Sequence, residues 1–153
     1  MSGDLSVDRL EIRHDALASI WAYPAHKLVH HQIHQALTTS QLRALLTAVS
    51  RTMNDYQLSK WLADDRQLTA VEATLYPWIE QVLVPRAVRA GWKYWALIRP
   101  HKADAAYVMH TISAKLAVSG VTVFVFENPK AAQAWLDAQD DRSVSSAPGS
   151  RGE

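Results

Sequence analysis

The chain has 153 residues, a formal net charge of +1 at pH 7 and no cysteine. The lack of cysteine excludes disulfides, thiolate metal sites and a cysteine nucleophile, and the small net charge gives no sign of a nucleic-acid or membrane-surface partner. The longest apolar runs are too short to span a bilayer, and the polar amino-terminal segment lacks the apolar core of a secretory signal. We therefore expect a cytoplasmic protein without membrane insertion.

The length and composition are those of a globular protein with one apolar core. Hydrophobic residues make up 48% of the chain, which is ordinary for a soluble domain. We expect a single domain over residues 1–139. The remaining residues, 140–153, carry almost no large apolar side chain, so this tail is predicted to be disordered.

The first predicted elements form a β-hairpin. Residues 18–23 (ASIWAY) have the composition of a strand. A turn that contains Pro24 separates them from residues 28–37 (LVHHQIHQAL), in which one face is mixed apolar and the other mostly polar. This period of two indicates a half-buried strand, so the two runs are predicted to pair in antiparallel fashion.

The second strand of the hairpin contains three histidines with a spacing also found in zinc proteases. His30 and His34 are four residues apart, as in the helical H-E-x-x-H motif, but His31 replaces its glutamate. On a strand the two positions lie roughly 13 Å apart, too far to share one zinc ion. We therefore predict no metal site, surface positions for His30 and His34, and a hydrogen-bonded position for His31 in or near the core.

A helix and a third strand are predicted after the hairpin. Thr38 and Gln41 form a capping-box pattern, which marks the start of a helix. Apolar residues then recur at helical spacing over residues 39–56. Residues 58–64 are expected to form the next strand.

A second capping-box pattern, Thr69 with Glu72, predicts that another helical region begins there. Gly91 is a natural carboxyl-terminal cap for it. Because proline lacks a backbone donor, we expect a short first turn and then a main helix near residues 76–90, bent near Pro85.

The last third of the chain alternates between strands and helices. Strands are predicted over residues 92–99 and 121–126, and helices over residues 104–118 and 128–139. Both strands have two apolar faces, which is typical of strands that are covered on both sides. The order of elements predicts an α/β fold with a mixed, mostly parallel five-stranded sheet, an amino-terminal antiparallel hairpin and about four helices.

Basic and aromatic residues are interleaved between Glu80 and Asp104, a stretch without any acidic residue. Such a mixture can bind single-stranded nucleic acid. However, its aromatic residues fall on a predicted strand and belong to the core, and two of its arginines lie near the end of a helix, where cations are favourable. We predict no nucleic-acid partner.

Several stretches occur in a distinctive order: ASIWAYPAHKLVHHQIH, KWLADDR, Trp78, PRAVRAGWKYWALIRP and GVTVFVFENPKAAQAWL. Together they resemble a family of small bacterial STAS-like (SpoIIAA-like) proteins, and the resemblance covers residues 17–139. It implies a STAS-like α/β fold. The wider superfamily includes the anti-sigma factor antagonists, which are not enzymes but bind a partner kinase. Phosphorylation of a serine in a loop before a helix switches that binding.

The loop that corresponds to the phosphorylated one is ADDRQLT, residues 63–69. It contains no serine, and Asp65 or Arg66 stands near the phospho-acceptor position, so the phosphorylation switch is not carried over. Asp65 would imitate a permanently phosphorylated state, or Asp64 and Asp65 would hold the loop and pair with Arg66 in solvent. The second interpretation is favoured.

The resemblance therefore predicts a non-enzymatic regulatory protein without a cofactor, which binds a protein partner such as a kinase or a sigma-factor regulator. The surface around the 63–69 loop and the following helix would form the interface. The candidate partner-binding residues are Asp64, Asp65, Arg66, Thr69 and His101.

Two alternatives stay open. Most of the six tryptophans are predicted to be core residues, but one or two could line an apolar pocket for a lipid-like small ligand, or the face of a homodimer. An enzyme comes third, with Asp64 and His101 as a catalytic pair and Arg66 as an anion anchor, because ligands usually bind at the carboxyl ends of the strands in open α/β sheets.

Overall fold

The computed structural model describes residues 9–139, whose centre is a mixed β-sheet of six strands. The strands follow one another across the sheet in chain order. They are β1 (Leu10–His14), β2 (Ala18–Tyr23), β3 (Leu28–Ile33), β4 (Lys60–Asp64), β5 (Tyr94–Ile98) and β6 (Thr122–Phe126). The pairs β1–β2 and β2–β3 are antiparallel, and the other three pairs are parallel. The predicted disordered tail, residues 140–153, lies outside the described residues.

Helices cover both faces of the sheet. They are α1 (Thr39–Tyr56), α2 (Leu75–Trp78), a π-helical turn (Ile79–Leu83), α3 (Val84–Ala90), α4 (Ala103–Val118) and α5 (Pro129–Ala138). The segments from α2 to α3 run on without a break, so the chain has four helical regions. The first three regions connect parallel strands and share one apolar core with the sheet. Helix α5 packs on the opposite face, against β4, β5 and β6.

The α/β class, the mixed sheet and the opening hairpin are confirmed. Strands β2 and β3 pair antiparallel, and Pro24–His26 forms a short 3₁₀ turn between them. The capping box at the start of α1 is present in full, with Thr38 and Gln41 each bonding to the backbone of the other. Asn128 caps α5 as expected, by accepting a hydrogen bond from the backbone N–H of Ala131.

The predicted number of five strands is wrong, because β1 forms a sixth. Its sequence, LEIRH, mixes charged and apolar side chains, and most of its residues are exposed. The sequence therefore shows no buried face that would predict a strand. The register also shifts between Glu11 and Arg13. The turn that follows is nonetheless well defined, since Asp15 accepts hydrogen bonds from the backbone N–H groups of Leu17 and Ala18.

The predicted helix start at Thr69 is also wrong. Residues 65–74 form an irregular loop, and the helix begins only at Leu75. This start places Pro77 in the first turn, where a missing N–H is tolerated, whereas a start at Thr69 would place it in a helix interior. The irregularity expected near Pro85 takes the form of the π-helical turn just before it.

The prediction that the last strand is covered on both faces is wrong as well. Strand β6 lies at the edge of the sheet and is only partly buried. The strand 92–99 is confirmed, as β5, in an interior position, and all but one of its residues are buried. Both sequences are rich in apolar residues, so their order in the sheet decides which of them is buried.

Candidate functional site

A cavity of about 40 Å³ lies between the sheet and the helices of the larger core. The sheet contributes three side chains to its lining, His31 from β3, Trp61 from β4 and Trp95 from β5. The remaining lining is almost wholly apolar. It comes from α1, from the loop after β4, from the π-helical turn and the start of α3, from the loop before β5, and from α4. It comprises Leu42, Leu46, Asp65, Leu68, Val71, Ile79, Leu83, Val84, Trp92, Met109, Ile112 and Leu116.

Three tryptophans pack together on the sheet side of this cavity. The ring centroids of Trp61 and Trp92 are 4.8 Å apart, and those of Trp92 and Trp95 are 5.8 Å apart. Each of the three side chains is almost fully buried. Aromatic pairs contribute about 0.5–1.5 kcal/mol beyond the burial of their area, so the contacts among the three rings stabilise this wall of the cavity.

His31 forms a buried hydrogen-bonded network at one side of the same cavity. Its Nδ1 lies 2.9 Å from the indole Nε1 of Trp61, and its Nε2 lies 2.7 Å from Oδ1 of Asp65. An indole N–H can only donate, so Nδ1 must be the acceptor and carries no proton. The proton of the neutral ring is then on Nε2, which donates to the carboxylate of Asp65.

The sequence predicted an inward-facing, hydrogen-bonded His31, and this prediction is confirmed: the residue is 1% exposed. Both of its partners are distant in sequence. Asp65 follows β4 directly and is held there by main-chain bonds, since its N–H donates to the carbonyl of Ile98 and its carbonyl accepts from the N–H of Leu68. The network therefore ties β3 to the first residue of the loop after β4.

Trp95 contributes a buried donor without a protein acceptor. Its side chain is 4% exposed and lines the cavity. Among residues 9–139, no acceptor lies within hydrogen-bond distance of its Nε1. Leaving such a group unsatisfied costs about 1–3 kcal/mol, so a side chain of the cavity wall carries an unused donor.

Asp64 and Arg66 form a second pair beside this network. The guanidinium donates from Nε and Nη2 to the two carboxylate oxygens, at 2.9 and 2.7 Å. Burial tends to raise the pKa of Asp64, but the hydrogen bonds and charge of Arg66 outweigh it, so this pKa lies below its ordinary value. The predicted pairing of Asp64 with Arg66 is present, but the predicted solvent setting is wrong, because Asp64 and Asp65 are each 3% exposed. Asp65 pairs with His31 and not with Arg66.

The remaining predicted site residues, Thr69 and His101, lie outside the network. Thr69 is partly exposed in the irregular loop and caps no helix. His101 is exposed, and its backbone N–H donates to the carbonyl of Arg66 at 3.1 Å. This bond joins the loops after β4 and β5, but within residues 9–139 no hydrogen bond joins the side chains of His101 and Asp64.

The opposite face of the sheet holds a polar cluster in which the sequence singled out His34 but neither Ser19 nor His14. The hydroxyl of Ser19 is fully buried between two imidazoles, 2.7 Å from Nδ1 of His14 and 2.7 Å from Nε2 of His34. A hydroxyl has one proton, so at least one of these histidines must donate to it. Cross-strand pairing of β1, β2 and β3 brings the three residues together, and no local sequence pattern reveals it.

His30 lies on this same face, and the prediction that it is a surface residue is wrong. It is partly buried and packs on Trp21, with ring centroids 5.1 Å apart. Its Nε2 is buried without a hydrogen-bond partner among the described residues. Burial, reinforced by the nearby His31, lowers the pKa of His30 to about 4, so the ring is neutral at pH 7. His34, which was also predicted to be a surface residue, is partly exposed and bonded to Ser19.

Over residues 9–139, no group of three or more histidine, aspartate or glutamate side chains is placed to hold a metal ion. Within the same range, every helix is too short or too polar to cross a bilayer. Searches against protein families, curated proteins and solved structures find nothing that matches this chain.

Proposed function

We propose that this protein binds a small apolar molecule that carries one hydrogen-bond acceptor, in the cavity between the sheet and the helices. The observation that carries the proposal is the buried Nε1 of Trp95, a donor without a partner among residues 9–139 in a side chain that lines an otherwise apolar cavity. Apolar pockets with a few well-placed polar groups are the usual form of small-ligand sites.

The size of the cavity limits the ligand. Pockets for drug-sized molecules measure about 300–1,000 Å³, whereas this cavity measures about 40 Å³. That volume is roughly three times the minimum needed for one water molecule. A whole lipid does not fit, and a molecule of the size of a short ketone, aldehyde or ester is the expected ligand.

The lining also determines the chemistry of the ligand. The carboxylate of Asp65 is already engaged by the Nε2 proton of His31, and Nδ1 of His31 already accepts from Trp61. A ligand with a positive charge or several donors would have to break this network. A carbonyl oxygen directed at Trp95, with a hydrocarbon part against the leucines and Met109, leaves it intact.

Titration with 2-butanone tests the proposal. We expect saturable chemical-shift changes confined to the methyl groups of cavity residues such as Leu42, Leu68 and Met109. Longer 2-alkanones should bind progressively less well than 2-butanone, because the cavity of about 40 Å³ is too small for them. Methyl-resolved NMR of the full chain measures both effects.

A variant that fills the cavity is the matched control. Val71 is in the irregular loop after β4 and lines the cavity, so Val71→Phe should fill it while the loop backbone adjusts. Binding of 2-butanone should then be lost with the fold retained. Equal binding by the variant and the wild type, or shift changes spread over the surface, would contradict the proposal.

A second candidate function, which the resemblance to STAS-like proteins suggests, is binding of a regulatory protein partner through the loop after β4. The observation that favours it is the anchoring of this loop by main-chain hydrogen bonds to β5 and to His101. Because Asp64 and Asp65 are buried, the contact groups would be Arg66, Gln67 and Thr69, which are at least partly exposed. Neither candidate function includes a chemical step.

A pull-down from the native host tests this second function. The wild type should enrich a kinase or a sigma-factor regulator, and Gln67→Glu should not. Glu11→Gln, on the far edge of the sheet, should behave as the wild type. Enrichment that is the same for all three proteins would place the interface elsewhere.

A further inference from the structure

Strand β6 is an unprotected edge of the sheet. Among residues 9–139 it pairs only with β5, and its sequence, TVFVF, contains neither a charge nor a proline. Phe124 is 55% exposed and Val125 is 38% exposed. An edge of this kind is a template for another strand, and proteins normally block it or cover it.

The two edges of the sheet differ in this respect. At the opposite edge, β1 carries Glu11 and Arg13, and its register shifts between these two residues. Arg13 is also paired with Asp15 at 2.8 Å. Charges and irregular pairing both discourage a further strand, so β1 is protected and β6 is not.

The main-chain groups of β6 that face outward can be assigned from its bonds to β5. The N–H of Thr122 donates to the carbonyl of Lys93, and the carbonyl of Phe126 accepts from the N–H of Arg99. Thr122 and Phe126 therefore point their main-chain groups towards β5, and so does Phe124 by the alternation of a strand. The N–H and C=O groups of Val123 and Val125 point outward.

We propose that β6 pairs with β6 of a second copy of this chain, antiparallel and around a two-fold axis at Phe124. In this register Val123 faces the partner's Val125 and Val125 faces the partner's Val123. Each pair exchanges two hydrogen bonds, so all the outward groups of these two residues are satisfied. Phe124 meets the partner's Phe124 in a close pair without hydrogen bonds, and the contact is self-complementary as a two-fold interface requires.

The side chains on both faces of β6 fit this arrangement. On one face the Phe124 ring stacks on Trp135 at 5.4 Å and remains more than half exposed, so the partner's ring would cover it. On the other face Val125 and Tyr107 line a surface cleft of about 270 Å³. Tyr107 is 73% exposed and would flank the partner strand.

The chain's own terminal segment is less suited to cover β6. Residues 140–153 carry Val144 as their single large apolar side chain, and they include Pro148 and two glycines. Such a sequence has few strand-forming residues and cannot supply the apolar pairs that TVFVF requires. A second β6 supplies them by symmetry.

Measurement of the molar mass in solution tests the proposal. Light scattering on the full chain should give twice the 17.1 kDa mass of one chain. Val125→Pro, which removes an outward N–H, and Phe124→Lys, which places two like charges at the axis, should both give the mass of one chain. Circular dichroism should show that both variants remain folded.

Leu10→Lys is the matched control, because Leu10 is 41% exposed on the protected edge, and this variant should remain dimeric. Amide exchange at Val123 should be slower in the wild type than in Val125→Pro or Phe124→Lys by on the order of tenfold or more. The same difference is expected at Val125 for Phe124→Lys, which keeps that amide. A wild type that is monomeric at all concentrations would overturn the proposal. So would a dimer that persists in both β6 variants and dissociates in Leu10→Lys.

Discussion

Replacement of His31 by leucine is expected to lower the free energy of unfolding by about 3–5 kcal/mol, because it leaves the buried carboxylate of Asp65 without its partner. Leucine is similar in volume to histidine, so the loss reports mainly on the electrostatic and hydrogen-bonding change. The effect is expected to be large because the side chains of His31 and Asp65 are only 1% and 5% exposed. Urea unfolding at pH 7 measures it.

The double variant His31→Leu/Asp65→Leu is the decisive control. Replacing both partners of a buried hydrogen bond by apolar residues can be nearly neutral, so the double variant should be more stable than His31→Leu alone. Asp65→Asn should cost less than His31→Leu, since an amide oxygen can still accept from Nε2 of His31. A double variant whose loss of stability equals the sum of the losses in His31→Leu and Asp65→Leu would show that the two residues do not interact.

The free energy of unfolding is expected to fall by on the order of 2–3 kcal/mol between pH 6.5 and pH 4, because of His30. The pKa of this ring is lowered from 6.5 to about 4 in the folded protein. In this window the unfolded chain binds a proton that the folded protein does not bind, so acid favours unfolding. The stabilisation is complete above pH 6.5, and its loss is complete once the pH is below about 4.

His30→Phe separates this effect from other titrations. Phenylalanine keeps the aromatic contact with Trp21 and has no proton to bind, so its stability should depend less on pH between 6.5 and 4. The lowered pKa values of Asp15 and Asp64 act below this window, so they do not account for a loss of stability between pH 6.5 and pH 4. If the free energy of unfolding fell by the same amount in the wild type and in His30→Phe between pH 6.5 and pH 4, the assignment to His30 would be contradicted.

The local features of the fold were predictable because they depend on neighbours in sequence. The capping box of Thr38 and Gln41 marks the start of α1, and the period of two in β3 places His31 in the core. Both signals come from a few consecutive residues. Proline is less easily interpreted, since Pro77 decides where the next helix begins and overrides the capping pattern at Thr69.

The candidate site could be predicted only in part, because it depends on contacts between distant strands. His31 was expected to be buried and hydrogen-bonded, but Asp65 lies 34 positions away and Trp61 lies 30 positions away. Adjacent acidic residues such as Asp64 and Asp65 are typical of an exposed loop. Here the register of β3 and β4 brings a histidine to one of them, and an arginine two residues after Asp64 neutralises the other.

The composition of a strand also does not predict its position in the sheet. YWALI and TVFVF are both apolar five-residue runs, yet β5 is interior and β6 is at the edge. The difference arises from the chain-order arrangement of the sheet, in which the last strand has a neighbour on one side only. The same topology leaves Phe124 exposed, and the dimer proposal depends on it.

The role of Trp95 in ligand binding can be measured with two probes of the same shape. 2-Butanone and 2-methyl-1-butene differ in that the first has a carbonyl oxygen where the second has a methylene group. We expect Trp95→Phe to weaken 2-butanone binding by about five- to tenfold, the contribution of one hydrogen bond, and to leave binding of 2-methyl-1-butene unchanged or slightly stronger. Equal effects on both probes, or no binding of either to the cavity of the wild type, would contradict the proposed function.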